Sequence, residues 1–242
     1  MASASDRMAA GAGLGALAKA DELKKRLLFT LGALIIYRLG TYVPLPGINP
    51  GALSDVFSQQ SSGILGMFDM FSGGALGRMT IFALNIMPYI TASIIMQLMT
   101  AVVPSLEALK KDGDAGRKQI NQYTRYLTVL LATVQGYGIA VGLEAASGVV
   151  GDPGMFFRVT TVVTLVGGTL FLMWLGEQIT SRGVGNGISL IIFSGIVAEL
   201  PTALAGTLEL GRTGALSIIL ILALFAMAAA VIAFIVFIER SV

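Results

Sequence analysis

Ile86, Ile90, Ser93 and Gln97 follow one another at spacings of four, three and four, and Ile188, Ile192, Gly195 and Glu199 repeat that pattern. On a helix each set shares one face. Neither set is equipped to make or break bonds. The chain contains no Cys and no His, which removes thiol nucleophiles, zinc–cysteine sites, disulfides, Ser-His-Asp triads and the commonest general base. "GGALGR" at residues 73–78 lacks the spacing of a P-loop and its Lys-Ser/Thr pair. The chemistry expected is therefore physical, without enzyme activity, metal or cofactor. Paired branched aliphatics with polar positions beyond them make an apolar constriction between two aqueous spaces, which seals by dewetting.

Such stripes need helices that cross a membrane. The chain has 242 residues, of which 55% are apolar and 12% charged. That is the balance of a membrane protein, and a net charge of +2 argues against nucleic acid as a main partner. About 20 mostly apolar residues cross the hydrocarbon core. The expected spans are Leu27–Val43, Met79–Val103, Tyr126–Leu143, Val159–Gly176, Ile188–Leu204 and Ala215–Ile238. Glu199 weakens the fifth. A further apolar stretch, Ile64–Phe71, is too short to span. The Ala- and Gly-rich start, with Lys24, Lys25 and Arg26 behind it, reads as a mobile or surface-lying segment rather than a cleaved signal.

Charge sets the orientation. Arg7, Lys19, Lys24, Lys25, Arg26, Lys110, Lys111, Arg117, Lys118, Arg125, Arg182 and Arg240 fall on one side of this arrangement, against Arg38, Arg78, Arg158 and Arg212 on the other. The positive-inside rule puts both ends of the chain in the cytoplasm. The last residues, "FIERSV", follow directly on the sixth span, and the chain is expected to be part of a larger protein.

"LNIMPYITASII", Leu84–Ile95, holds an asparagine and a proline inside the second span. Freed backbone groups and a buried amide are tolerated where neighbouring helices, water or a cavity satisfy them. A packed proline kink is one reading, and a helix lining a water-accessible path is the other. The stripes favour the second. Ile86 and Ile90 lie 8 and 12 residues past Arg78, roughly 12–18 Å in at helical rise. Ile188 and Ile192 lie 6 and 10 residues past Arg182, roughly 9–15 Å from the other side. Both pairs then sit near the middle of a ~30 Å core. Just before the second span, "GILGMFDMFSGGALGRM" is apolar but broken by Asp69 and the Gly73–Gly74 pair. It reads either as an interfacial helix or as a re-entrant piece occupying the outer vestibule, hinged at the glycines.

"FSGGALGRMTIFALNIMPYITASIIMQL" and "FLMWLGEQITSRGVGNGISLIIFSGIVAELP" resemble the second and fifth membrane regions of the SecY family of bacterial protein-translocation channels. "LLFTLGALIIYRLGTYVPLPGI" is similar to that family's first span and "GRKQINQYTRYLTVLLA" to the entry of its third. The likeness runs from about Asp21 to Glu239. It implies an all-α polytopic membrane protein of inverted-repeat SecY type: six transmembrane helices and a short re-entrant plug helix. Residues 1–26 would be a cytoplasmic N-terminal segment and residues 27–204 the first five-span half, with the plug at 64–74. Residues 205–242 would carry the sixth span and begin the second half, leaving the chain incomplete.

The resemblance implies that Ile86, Ile90, Ile188 and Ile192 supply part of a pore ring. The plug would comprise Ile64, Leu65, Met67, Phe68, Met70, Phe71, Ser72, Gly73 and Gly74, and Thr91, Ser93 and Gln97 would belong to a lateral gate. It implies as partners SecE and SecG subunits, a SecA motor or ribosome, a signal sequence or nascent polypeptide, membrane lipids, and the missing C-terminal half of the same protein. The location implied is the bacterial inner (plasma) membrane.

Several residues have plainer readings. Arg38 reads as an interface anchor that snorkels rather than a transport site. Glu177 and Arg182 read as caps of the turn after the fourth span. Lys110–Lys118 is a solvated loop or a contact for anionic lipid or ribosomal RNA, and Trp174 suits an interface belt. The competing function is half of an inverted-repeat secondary transporter, which would need a charged cluster at mid-span, where none of the chain's charges falls. An intramembrane enzyme would need a catalytic dyad at depth, and none is visible.

Overall fold

The computed structural model describes residues 21–60, 69–70, 72–146, 148–213 and 217–241. Among them run eight helices: α1 (Asp21–Gly40), α2 (Pro50–Gln60), α3 (Met87–Val102), α4 (Pro104–Lys111), α5 (Asp114–Ala145), α6 (Met155–Arg182), α7 (Gly187–Arg212) and α8 (Ile218–Ser241). The only extended pairings among the described residues are two isolated bridges, Pro44 with Thr80 and Ile48 with Val150.

Among the described residues four helices are long and apolar enough to cross a membrane: α5, α6, α7 and, within α8, Ile219–Arg240. The chain is a multi-pass membrane protein. α3 and α4 add a fifth span if counted as one, bent by 99°. Pro104 explains the bend. The residue before a proline is driven out of the helical region, and Val103 has φ −97° and ψ 114°. The expected first span lies in α1, about 30 Å long at helical rise, with Asp21, Glu22, Lys24, Lys25 and Arg26 crowding its first turns. Its apolar stretch alone is shorter than the other spans.

The chain divides into two compact units, one ending at Ile196 and the other beginning at Val197. In the first, α5 packs along α6, α3 leans on α5, and α1 lies on α6. Small residues permit the close approaches. A Cβ on Gly168 of α6 would collide with the Ile81 carbonyl oxygen, and one on Gly187 with that of Gly176. In a bilayer, where lipid is as apolar as the helix surface, such backbone contact is a main source of association. Two apolar clusters fill this unit. One joins Leu45, Leu53, Leu84, Leu143 and Leu165; the other joins Tyr37, Phe82, Ile86, Leu172, Ile179 and Ile191. Rings run outward from the second cluster: Tyr37 stacks on Phe82 at 6.2 Å, Phe82 stacks on Phe171 at 5.8 Å, and Phe171 meets Trp174 tilted, at 5.9 Å. Trp174 ends the series half-exposed, as an interface residue would.

The loop after α1 zips along two others. Leu45 donates to the Met79 carbonyl at 3.0 Å, Ile81 to that of Val43 at 3.0 Å, and Asn49 to that of Val149 at 2.8 Å. Residues 79–86, expected to be helical, are instead a chain of turns beneath this loop. In the second unit, α8 leaves Leu220, Leu222, Met227, Phe234 and Phe237 exposed. An apolar surface of that extent belongs in hydrocarbon or against another apolar surface.

Candidate functional site

The expected second span does not begin as a helix at Met79; α3 starts at Met87. Asn85 has φ +49°, the left-handed region that Asn tolerates better than most residues, and its backbone N–H donates to the Phe82 carbonyl at 2.8 Å. Tyr37, whose ring stacks on Phe82, donates to the Ser72 carbonyl at 3.3 Å. Pro88 sits in the first turn of α3, where its missing N–H costs nothing and its fixed φ suits the helix. The proline is therefore a helix starter, not a kink within a span. Depths reckoned at helical rise from Arg78 do not hold for Ile86 and Ile90, because residues 79–86 are not helical.

α7 starts with equal definition. The Asn186 side-chain oxygen accepts from the Ile188 N–H at 3.0 Å and the Ser189 N–H at 3.3 Å, an N-cap that satisfies two orphan donors. Two threonines pin the preceding turn: Thr30 accepts from Val184 N at 3.2 Å and Thr180 from Gly187 N at 2.8 Å. These bonds fix the register at which Ile188 and Ile192 leave the turn.

Three of the four isoleucines meet. Ile86, Ile90 and Ile192, with Asn85 and Met87, line a single cavity of about 240 Å³. Ile90 and Ile192 are partly exposed, whereas Ile86 is only 1% exposed and also belongs to the core. Ile188 is partly buried against Gly176 and does not line the cavity. On α3 the buried residues are Pro88, Ala92, Met96 and Thr100. The stripe through Ile90, Ser93 and Gln97 lies about a third of a turn round from them. The stripe thus flanks the packed face, and it runs from partly buried Ile90 to exposed Gln97. Gln97 donates to Ser93 Oγ at 3.5 Å, and Thr91, also exposed, donates to the Met87 carbonyl at 3.0 Å.

Of the expected plug residues, Ile64, Leu65, Met67, Phe68 and Phe71 lie outside the described residues. Met70 is exposed, and Ser72, Gly73 and Gly74 are buried. Asp69 knits this stretch: its side chain accepts from Gly77 N at 2.7 Å, and its carbonyl from Gly74 N at 3.0 Å. Gly73 and Gly74 take φ of +64° and +77°, which other residues resist. A Cβ on Gly73 would come within 3.1 Å of the Gly195 Cα. Gly73 therefore rests on the α7 stripe, at a residue four positions from Ile191 and three from Ile192.

Two pairings join segments distant in the sequence. Arg38 and Arg78 both donate to the Gly73 carbonyl, at 2.8 and 2.9 Å, so Arg38 is more than a snorkelling anchor. Glu177 does not act through the turn after its helix; it receives Arg125 of α5 at both carboxylate oxygens, at 2.6 and 2.7 Å from Nη2. The only sequence signal was an acid and a base near the same expected membrane face.

A SecY family model matches residues 80–242. The protein translocase subunit SecY of Buchnera aphidicola subsp. Acyrthosiphon kondoi is 55% identical over 239 residues, covering 98% of this chain and 65% of that protein. The subunit of the same name in Escherichia coli (strain K12) is 54% identical over 239 residues, covering 98% and 53%. That of Vibrio cholerae is 56% identical over 223 residues, covering 91% and 50%. The chain thus spans about half to two-thirds of these relatives. A solved protein-conducting channel superposes with a TM-score of 0.55 at 19% identity, over 78% of this chain and 38% of that one. A SecY structure, described for a plug domain that stabilises its closed state, gives 0.52 at 20% identity over 78% and 37%. These two likenesses bear on the fold alone.

Proposed function

The chain belongs to the SecY family, and from that membership we propose that it forms part of a protein-conducting channel. The channel passes unfolded secretory polypeptides across the bacterial inner membrane and releases membrane segments sideways into lipid. The observation that carries this reading is the cavity shared by Ile86, Ile90 and Ile192 from two separate elements. Isoleucines make no directional bonds, so a collar of them closes around any side chain without selecting among sequences. Charged residues there would stay hydrated and leak ions. Ile188 would join the collar in the complete channel.

In this reading residues 27–204 are the first half of the channel, and residues 205–242 open the second half, whose remainder completes the ring and gate. The N-terminus is cytoplasmic, in keeping with the distribution of Lys and Arg. Residues 64–74 act as the plug, and the contact of Gly73 with Gly195 supports a plug end seated against α7. Thr91, Ser93 and Gln97 edge the lateral gate. No bond is made or broken, and the driving force comes from a SecA motor or a ribosome. SecE and SecG complete the complex.

The test uses single cysteines at Ile86, Ile90, Ile188 and Ile192 in the full-length protein within its complex, challenged with a stalled secretory chain. Crosslinks are expected from these positions and not from exposed Leu222. Equal crosslinking from Leu222 would remove the pore assignment.

A further inference from the structure

Arg38 and Arg78 converge on one uncharged oxygen, the Gly73 carbonyl, at 2.8 and 2.9 Å. Both guanidiniums also lie against the Tyr42 ring, 5.2 and 4.6 Å from its centroid, and Arg38 donates to the Tyr42 hydroxyl at 3.3 Å. Among the described residues neither arginine has a carboxylate within ion-pair distance; the ion pairs there involve Arg26, Lys111, Arg125, Arg158 and Arg212. Asp69, the acid nearest in sequence to Arg78, turns one carboxylate oxygen to Gly77 N and Ser72 Oγ. Residues 61–68 and 71 contain no acid at all.

Two like charges held together without a counter-charge repel. A carbonyl and an aromatic face offset that only in part. Each guanidinium has five N–H donors in a planar fork, and most of these are not used by the contacts above. The pair is built to take an anion in a bidentate, charge-assisted way, the geometry for which Arg suits phosphate better than Lys does. Leu39, Tyr42 and Val43 beside it are exposed and apolar, at 65%, 57% and 47%, which is the surface an acyl chain would cover.

We propose that Arg38 and Arg78 form a phosphate-binding site for the headgroup of a membrane phospholipid, with Tyr42 beneath the headgroup and α1 along its acyl chains. This site does not rest on the channel reading. A lipid phosphate there would compete with the Gly73 carbonyl for the same donors and so would loosen the stretch from Asp69 to Gly77.

The test takes the full-length protein in its complex, in nanodiscs of phosphatidylcholine with phosphatidylglycerol, and counts the lipid retained after mild delipidation by native mass spectrometry. Retained phosphatidylglycerol should fall several-fold in the R38Q/R78Q double variant and should be unchanged in R212Q, which removes an exposed arginine elsewhere. Undiminished retention in the double variant, or an equal loss in R212Q, overturns the site. Because the double substitution also frees Gly73, a photoreactive phosphatidylglycerol is crosslinked to the unaltered protein in parallel. Adducts should map to residues 38–43 and 73–78, and adducts confined elsewhere overturn the proposal. In a third arm millimolar inorganic phosphate is added to the loaded discs. The lipid should stay bound; its displacement would identify the ligand as a free phosphate rather than a headgroup.

Discussion

Gly73 and Gly195 touch backbone to backbone, 122 positions apart in the sequence: a Cβ on the first would meet the Cα of the second at 3.1 Å and its carbonyl oxygen at 3.2 Å. Neither partner has a side chain to withdraw. A side chain at Gly73 must therefore push residues 72–74 away or shift α7, and it is also strained at φ +64°. The substitution G73A is expected to cost roughly 1–3 kcal/mol. In the full-length protein, read as a channel, it should raise resting ion conductance across a planar bilayer. Unchanged conductance in a stably assembled G73A complex would mean that this contact plays no part in holding ions back.

The cavity shared by Ile86, Ile90 and Ile192 gives a second conductance test. I192N places an amide among aliphatic side chains and favours water there, so ion leak should rise while assembly is retained. I192L keeps the volume and apolarity and should change leak little. A leak from I192L equal to that from I192N would mean that shape, not wetting, governs the leak.

Two adjacent glycines on α6 should behave oppositely. Gly168 abuts the Ile81 carbonyl oxygen, whereas nothing lies within 4 Å of a Cβ built on Gly167. G168A is expected to lose about 1–3 kcal/mol. G167A should be neutral or should gain about 0.5–1 kcal/mol by stiffening the unfolded chain and favouring helix. Denaturation of the detergent-solubilised full-length protein distinguishes them, and similar midpoints for both variants would refute the close approach of α6 to residue 81.

The cap at α7 predicts a graded series. N186A should cost about 1 kcal/mol and N186D much less, because the aspartate also accepts from the Ile188 and Ser189 N–H groups. The denaturation midpoint gives the order, which should be wild type close to N186D and both above N186A.

The bond of Arg125 to Glu177 is bidentate but half-exposed, with side chains 47% and 35% accessible. A double-mutant cycle with R125A and E177A should give a coupling of only about 0.2–1 kcal/mol, smaller at high salt. R125K should recover little of it, since an ammonium cannot reproduce the fork. A coupling of several kcal/mol would show that the pair is far less hydrated than its exposure indicates.

What the sequence disclosed was whatever depends on local composition and period. Apolar runs marked the long helices though not α2 or α4, and the repeated spacing singled out the isoleucines, three of which line one cavity. Asn186 after Gly185 carried a helix-start signal in plain view. The beginning of α3 was not legible, because the turn from Phe82 to Asn85 packs under Tyr37, which bonds Ser72, and both come from distant segments. A proline in an apolar run looks the same whether it kinks a helix or starts one. Arg125 with Glu177, Arg38 with Gly73, and Gly73 with Gly195 are likewise tertiary pairings for which no periodicity gives notice.

The series of ring contacts from Tyr37 to Trp174 has a practical corollary. Trp174 is the one indole in this chain, and it touches Phe171, which lies on Phe82 in the turn segment that leads into α3. Indole emission follows the packing at its own face, so a rearrangement of Asn85 and Ile86 that carried Phe82 and Phe171 with it is expected to shift the emission of Trp174, and F171L should abolish that shift.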